Sequence, residues 1–169
     1  MTSWRLVKMA GCIAAVMVVL CACMRTSSTE DMSDYLQADV PLLMDRLALF
    51  PEEKALSEEA IRHYRAENKS SLLFDDMFFL LSCTYPDAEY ANEEQRLIDS
   101  GAEYRDDLFC TPAYVMIFTD GCYEYALLDP ASNTIIYVYA QTADWNIFND
   151  FPEQYIPTVD IAEDIFRYT

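Results

Sequence analysis

The sequence predicts an α+β domain in which an antiparallel β-sheet packs against helices from the N-terminal half of the chain. Two turns between apolar runs support this prediction, because they divide residues 113–140 into a three-stranded meander. Apolar residues at helical spacing upstream of the meander indicate the helices. Hydrophobic residues make up 53% of the 169 residues, which is enough to form a packed core in a single domain.

The first 22 residues have the organisation of an export signal. Arg5 and Lys8 form a basic start, and the 14 residues of 9–22 are uncharged and mostly aliphatic. This apolar stretch is shorter than the roughly 18–20 residues that a helix needs to cross a bilayer. Residues 1–22 are therefore predicted to be a signal peptide rather than a transmembrane helix.

The end of this segment carries a more specific pattern. Leu20-Cys21-Ala22-Cys23 resembles the lipobox of bacterial lipoproteins, which has an aliphatic residue three positions before an obligatory cysteine and a small residue directly before it. The resemblance implies cleavage after Ala22 and attachment of a diacylglyceryl group to the Cys23 thiol. Cys21 fits the pattern less well, because the bulky Leu20 precedes it.

The same resemblance implies a lipid-anchored protein at a bacterial cell membrane or outer membrane, with its domain on the extracytoplasmic side. Two acyl chains make a lasting anchor, whereas a single chain binds a bilayer only marginally. The alternatives are an ordinary signal peptide and an uncleaved anchor helix. Residues 23–38 are mostly polar and are predicted to be a lipidated tether, which leaves residues 39–169 as a single globular domain.

The start of the domain is predicted to be helical. Apolar residues at helical spacing follow Pro41, so a helix is expected from there to Phe50, with Pro51 ending it. Residues 52–69 are ambiguous. Their first part has high helix propensity, and residues 57–69 could continue that helix or contain a strand. The helix is the favoured interpretation.

A strand and a second helix are expected next. Residues 77–85 form a continuous apolar run, which is typical of a strand covered on both faces. Asp87 is expected to cap a helix that ends near Ser100, where Gly101 suits its termination. The buried side of this helix is expected to carry Tyr90, Leu97 and Ile98, and its solvent side Glu93, Gln95 and Arg96.

The meander is predicted to contain strands at 113–119, 122–128 and 134–140. Asp120-Gly121 between apolar runs is the strongest short hairpin signal, and residues 129–134 form a second turn with Asn133 in a left-handed conformation. The turns set the expected register: 119 opposite 122, 117 opposite 124, 115 opposite 126, 129 opposite 134, 124 opposite 139 and 126 opposite 137.

This register divides the side chains between two faces. The face expected to need a helical cover carries Tyr114, Met116, Phe118, Tyr123, Tyr125, Leu127, Ile136 and Val138. The other face is also largely apolar but includes Glu124, which makes Glu124, Tyr137 and Tyr139 a candidate recognition patch for a cationic or peptide ligand. The alternative is a glutamate that is hydrogen-bonded to tyrosine hydroxyls or exposed at a sheet edge.

The remaining features concern the tail and the cysteines. Residues 141–169 are too aromatic for a free tail and are expected to lie over part of the sheet.

Exported proteins can form disulfides, so a bond from Cys83 to Cys110 or to Cys122 remains open. Buried free thiols are the default for all three cysteines.

Charge and composition limit the function. After residue 22 the chain carries nine basic residues against 29 acidic ones, so nucleic acid is an unfavourable partner and a cationic peptide or protein is a favourable one. The sequence identifies no catalytic residue, cofactor site or metal ligand. It predicts a membrane-anchored surface lipoprotein, held through Cys23, whose domain is a non-catalytic binding or accessory module. The alternative is a lipid-anchored envelope hydrolase that uses acidic residues.

Overall fold

A computed structural model of the chain describes residues 25–31, 47–52, 56, 59–70, 75–119, 121–141 and 155. Within them, seven strands form one antiparallel sheet in the order β1-β2-β3-β7-β6-β5-β4, and a single helix connects the third strand to the fourth. The elements are β1 (Arg25–Thr29), β2 (Ile61–Ser70), β3 (Asp75–Thr84), α1 (Asp87–Asp99), β4 (Glu103–Arg105), β5 (Ala113–Thr119), β6 (Cys122–Asp129) and β7 (Thr134–Gln141).

The predicted α+β class is wrong, because the described part of the chain is mostly β with one helix. The helix favoured for 52–69 is wrong over its second half, where β2 pairs with β1 and β3. Tyr64 and Ala66 are buried on one face of β2, so sheet pairing and burial override the helix propensity. Of the helix expected from 41 to 50, residues 41–46 lie outside the described residues, and 47–50 are not helical.

β1 lies within the segment that was predicted to be a tether. Its residues 25–29 pair in register with residues 70–66 of β2, so they belong to the sheet rather than to a free linker. Thr and Ser suit this place, because β1 is the outermost strand and Ser27 and Ser28 are exposed. Residues 32–38 of the predicted tether lie outside the described residues.

The strand at 77–85, the helix near 87–100 and the three strands of the meander are confirmed within one or two residues. The meander register is confirmed except at one point. A bulge between Val115 and Ile117 places Tyr114 opposite Ala126 and Val115 opposite Tyr125. The bulge moves Tyr114 and Val115 to the faces opposite to those expected.

Two apolar clusters cover the two faces of the sheet. The helix lies on the face that carries Glu124, which corrects the expectation that it would cover the other face. The main members of this cluster are Leu49, Phe50, Tyr64, Phe79, Leu81, Tyr90, Leu97, Tyr114, Leu128, Ile135 and Tyr137. Ile98 was expected to be buried, but its exposed fraction is 48%.

The opposite face is covered by the segment between β4 and β5 and, in the tail, by Tyr155. Leu108 and Phe109 are buried there, and the Phe109 ring lies 4.5 Å from that of Tyr125. The Tyr125 hydroxyl donates a hydrogen bond of 2.9 Å to the Tyr155 carbonyl. The predicted contact between tail and sheet is therefore present at Tyr155, and the rest of residues 142–169 lies outside the described residues.

The turn between β6 and β7 holds the start of the helix. Asn133 has φ 51°, which confirms the predicted left-handed conformation. Its side-chain amide donates a hydrogen bond of 2.6 Å to Asp87 Oδ1. Asp87 is the first helical residue and makes no capping hydrogen bond, since Pro86 occupies the cap position. The role predicted for Asp87 as the cap is therefore wrong, and its carboxylate instead joins the helix to the turn.

Gly101 ends the helix in a conformation that favours glycine. Its φ is 87°, and an added Cβ would meet no atom within 4 Å, so any cost of a side chain comes from the backbone alone. Gly101→Ala should reduce the free energy of unfolding by about 1 kcal/mol. Gly101→Asn should cost less, because asparagine tolerates positive φ. Urea unfolding of both variants measures the difference, and equal losses would contradict the backbone explanation.

Candidate functional site

A buried polar network lies between α1 and the helix-covered face of the sheet. It connects β3, α1, β6 and β7 to the segment at 47–52, and it consists of Cys83, Tyr85, Glu93, Arg96, Glu124 and Tyr137. Most of these groups are closed off from solvent. Buried polar groups require hydrogen-bond partners, so the partners within the network determine what it can do.

Tyr137 lies near the middle of the network and is fully buried. Its hydroxyl donates a hydrogen bond of 2.5 Å to Glu93 Oε1, and the Tyr85 hydroxyl lies 2.9 Å from it. Since the Tyr137 proton is directed at Glu93, Tyr85 acts as the donor to Tyr137. Burial raises the pKa of both tyrosines, so neither is available as a proton donor of ordinary acidity.

Arg96 extends the network from the helix to the segment at 47–52. It forms an ion pair with Glu93, three residues earlier in α1, with 2.6 Å between Arg96 Nη2 and Glu93 Oε1. The same guanidinium nitrogen donates a hydrogen bond of 2.5 Å to the Leu49 carbonyl. Arg96 therefore neutralises one buried acid and holds a backbone acceptor at the same time.

Glu124, in strand β6, binds Leu49 from the sheet, on the amide side of the residue whose carbonyl binds Arg96. Its exposed fraction is 1%, and its Oε1 accepts a hydrogen bond of 2.8 Å from the Leu49 amide. Both backbone groups of Leu49 are thus used, and Phe50 packs beside Tyr137 with 5.8 Å between ring centroids. Burial raises the pKa of the Glu124 carboxyl, whereas the Leu49 amide and the charge of Arg96 oppose this rise.

The predicted recognition patch lies inside this region. Glu124 and Tyr139 are opposite each other in register, and Glu124, Tyr137 and Tyr139 are all at most 5% exposed. Tyr137 donates to Glu93 rather than to Glu124, and Tyr139 donates to Gln141 Oε1 at 2.8 Å. The three side chains therefore share a buried region, but each makes its hydrogen bond to another residue, and all three are covered from solvent.

Sequence reasoning missed Glu93, Arg96 and the segment at 47–50. It placed Glu93 and Arg96 on the solvent side of the helix, but the Glu93 side chain is only 12% exposed. One feature of the sequence does indicate the pairing of Glu93 with Arg96. Arg96 is a single basic residue among many acids in its helix, and a glutamate three residues earlier can pair with it on the same helix face.

The two disulfides considered from the sequence are not formed, since Cys83, Cys110 and Cys122 are free. Cys83 is opposite Ile135 and Cys122 is opposite Gln141, so six residues of β7, about 20 Å, separate them. Cys110 lies in the segment over the other face of the sheet. Burial raises the pKa of the Cys83 thiol to about 12, so this thiol is unreactive at neutral pH.

Comparisons with known proteins do not indicate a family for this chain. No protein-family model, curated protein or solved structure matches the chain. In the part of the chain that the structure describes, no three His, Cys, Asp or Glu side chains are grouped as metal ligands, and no helix is long and apolar enough to cross a membrane. Cys23, the predicted lipidation site, lies outside that part.

Two substitutions separate the charge of Glu124 from its hydrogen bond. Because the native state raises the pKa of this carboxyl, its favourable contribution is complete below the ordinary pKa and is lost as pH rises through the raised one. The stability of Glu124→Gln relative to wild type should therefore increase as pH rises from below the ordinary carboxyl pKa into the neutral range. Glu124→Leu should be about 1–3 kcal/mol less stable than Glu124→Gln, because the Leu49 amide loses its acceptor.

Urea unfolding at several pH values measures both differences. Stability differences that do not change with pH would contradict the buried carboxylate, and equal stability of the Gln and Leu variants would contradict the hydrogen bond to Leu49.

Proposed function

We propose that this chain is a lipid-anchored bacterial envelope protein whose β domain is a non-catalytic binding or accessory module. The observation that carries the proposal is the pattern Leu20-Cys21-Ala22-Cys23, which follows a short apolar segment with a basic start. β1 begins at Arg25, two residues after Cys23. A lipid on Cys23 would thus hold a folded sheet directly at a membrane.

The state of the buried acids favours binding over hydrolysis. A glycosidase-like site needs two carboxyl groups that face a substrate in an open cleft. Glu124 has a raised pKa, but it is covered and accepts a hydrogen bond from the Leu49 amide. Glu93 is paired with Arg96 and accepts a hydrogen bond from Tyr137. Both acids therefore stabilise the fold, and this supports the non-catalytic proposal over the envelope hydrolase.

An acidic surface at α1 and β4 fits the cationic partner expected from the composition. Residues 86–107 contain eight acidic residues against two arginines, and both arginines form ion pairs within this segment. The large hydrophobic side chains most exposed among the described residues, Ile98 at 48% and Tyr104 at 52%, also lie there. β4 is the outermost strand at this side of the sheet, so an extended cationic segment with apolar side chains fits this surface.

The anchor is tested by two cysteine variants. Wild type and Cys21→Ser should both carry lipid on Cys23, whereas Cys23→Ser should lack it and leave the membrane fraction. Trypsin cleaves after Arg25, so mass spectrometry should detect Cys23-Met24-Arg25 with the attached lipid. A mature amino terminus elsewhere, or lipid that is lost in Cys21→Ser and retained in Cys23→Ser, would contradict the proposal.

The acidic surface is tested by two triple variants with the same change in net charge. In a soluble domain that starts at Met24, one variant carries Glu94→Gln, Asp99→Asn and Glu103→Gln. The control carries Glu30→Gln, Glu52→Gln and Glu59→Gln, three exposed acids outside this surface. The probe is a short fluorescent peptide of alternating lysine and leucine, and its affinity is measured by anisotropy.

The first variant should weaken binding of the peptide about tenfold and the control much less, since exposed ion pairs contribute modestly and locally. Equal weakening would show attraction to the overall charge and would contradict a local surface. Turnover of cell-wall fragments by the same domain, without binding of the peptide, would favour the hydrolase.

A further inference from the structure

The hydroxyl of Tyr90 in α1 makes no hydrogen bond within the described part of the chain. The residue packs in the core and is only 8% exposed. Buried polar groups normally have a partner, so this hydroxyl is an exception that needs an explanation. Its oxygen is not completely closed off from solvent. A donor that belongs to another molecule can therefore reach it.

A half-buried carboxylate lies on the same side of the helix. Glu94 follows Tyr90 by four residues, which places the two side chains beside each other on α1. No lysine or arginine among the described residues forms an ion pair with Glu94, whereas its neighbour Glu93 is paired with Arg96. Solvent and salt screen a half-buried charge less than an exposed one, so a cation at Glu94 is bound more strongly than at the rest of the acidic surface.

Two aromatic rings border this carboxylate. Tyr104 in β4 is directly opposite Tyr114 in β5, with 5.5 Å between the ring centroids and 66° between the ring planes. Tyr114 is buried next to Glu94, whose charge adds to the effect of burial in raising the pKa of this tyrosine. Tyr104 is 52% exposed. It therefore offers an open aromatic surface near Glu94, and the face of such a ring attracts cations.

The charges around Tyr90 favour a cation over any other ligand. Burial raises the pKa of Tyr90 to about 12, and the negative charges of Glu94 and Asp129 add to this rise. The group thus presents a hydroxyl oxygen, a carboxylate and a ring face. A lysine ammonium matches these acceptors, because it is a compact charge with three N–H donors and no acceptor. A guanidinium is planar and fits best where one carboxylate can accept two parallel bonds.

We propose that Tyr90, Glu94 and Tyr104 bind the side chain of a lysine in the partner. The ammonium donates to the Glu94 carboxylate and to the Tyr90 hydroxyl oxygen, and the alkyl chain of the lysine lies along the Tyr104 ring. This inference rests on the cationic partner proposed above and names one point of contact within it. Ile98 follows Glu94 by four residues and is exposed, so an apolar residue near the lysine also has a surface to contact.

Single substitutions in the acidic surface test whether Glu94 has a special role. The full-length chain is produced in a bacterial host and kept in a non-ionic detergent. The probe is a short fluorescent peptide of alternating lysine and serine, and its affinity is measured by anisotropy. Glu94→Gln should weaken binding several-fold. Asp99→Asn and Glu103→Gln, which remove the same charge from the same surface, should have much smaller effects, because Glu103 and Tyr104 lie on opposite faces of β4.

The variant that carries all three substitutions separates this site from the acidic surface as a whole. If the triple variant loses the peptide and the three single variants have equal effects, only the lysine site is refuted. If the triple variant binds the peptide as wild type does, the acidic surface is refuted as well.

The role of the Tyr90 hydroxyl is tested by its removal. Tyr90→Phe should weaken peptide binding several-fold and leave the urea midpoint unchanged, because this hydroxyl makes no hydrogen bond in the fold. The matched control is Tyr125→Phe on the opposite face of the sheet, which removes a hydroxyl that is bonded to the Tyr155 carbonyl. It should lower the urea midpoint and leave peptide affinity unchanged. Unchanged affinity in Tyr90→Phe, or a midpoint that falls as in the control, overturns the role of Tyr90.

The chemistry of the bound group is tested by changing the peptide. Trimethyllysine in place of lysine keeps the charge but removes every N–H donor, so it should bind several-fold more weakly. Tyr104→Leu should weaken binding of the lysine peptide, whereas Tyr104→Phe should retain it, because the ring face is what contacts the lysine. Trimethyllysine or arginine peptides that bind more tightly than the lysine peptide overturn the assignment to a lysine ammonium.

Discussion

The segment at 47–52 is held in place mainly through the main chain of Leu49, and the Ala48 carbonyl accepts a second, longer hydrogen bond from Arg96. The Leu49 amide donates to Glu124 on the sheet, and the Leu49 carbonyl accepts from Arg96 on the helix. Helix and sheet are therefore connected through a third element as well as by their own packing. Leu49 itself is fully buried, so the polar contacts and the apolar core depend on the same few residues. Removal of Glu124 would leave the Leu49 amide without its acceptor, and removal of Arg96 would leave the Leu49 carbonyl without this donor and Glu93 without its cation.

This arrangement explains why polar side chains persist inside an otherwise apolar layer. The Tyr85 hydroxyl donates to the Tyr137 hydroxyl, and the Tyr137 hydroxyl donates to the Glu93 carboxylate. Arg96 neutralises the charge of Glu93. Each donor in this series has a defined acceptor, which favours a single arrangement of the helix on the sheet. Glu93 and Glu124 do not form an open acidic cleft, because their carboxylate oxygens already accept hydrogen bonds from other groups of the fold.

Local patterns predicted the parts of the fold that depend on short-range chemistry. Asp120-Gly121 and the turn at 129–134 defined the meander and most of its register, because turn residues act through their own backbone. Strand β2 was not predicted, since its residues have no decisive propensity and pairing with β1 and β3 determines its conformation. Glu124 was found as a polar residue on an apolar face, but its partners are 75 and 28 residues away in the sequence, at Leu49 and Arg96, and no local pattern connects them.

The main-chain contacts of Leu49 have an evolutionary consequence. A hydrogen bond to a backbone amide or carbonyl does not depend on the side chain of the residue that supplies it. Ala48, which is exposed, is therefore free to vary among descendants of this sequence, while a change at Glu124 is tolerated only if its replacement also presents an acceptor to the backbone. Selection on this region should act on two side chains, Arg96 and Glu124, that lie far in the sequence from the segment they hold. Within the segment the exposed position 48 can change, whereas Leu49 and Phe50 remain constrained by their burial in the core.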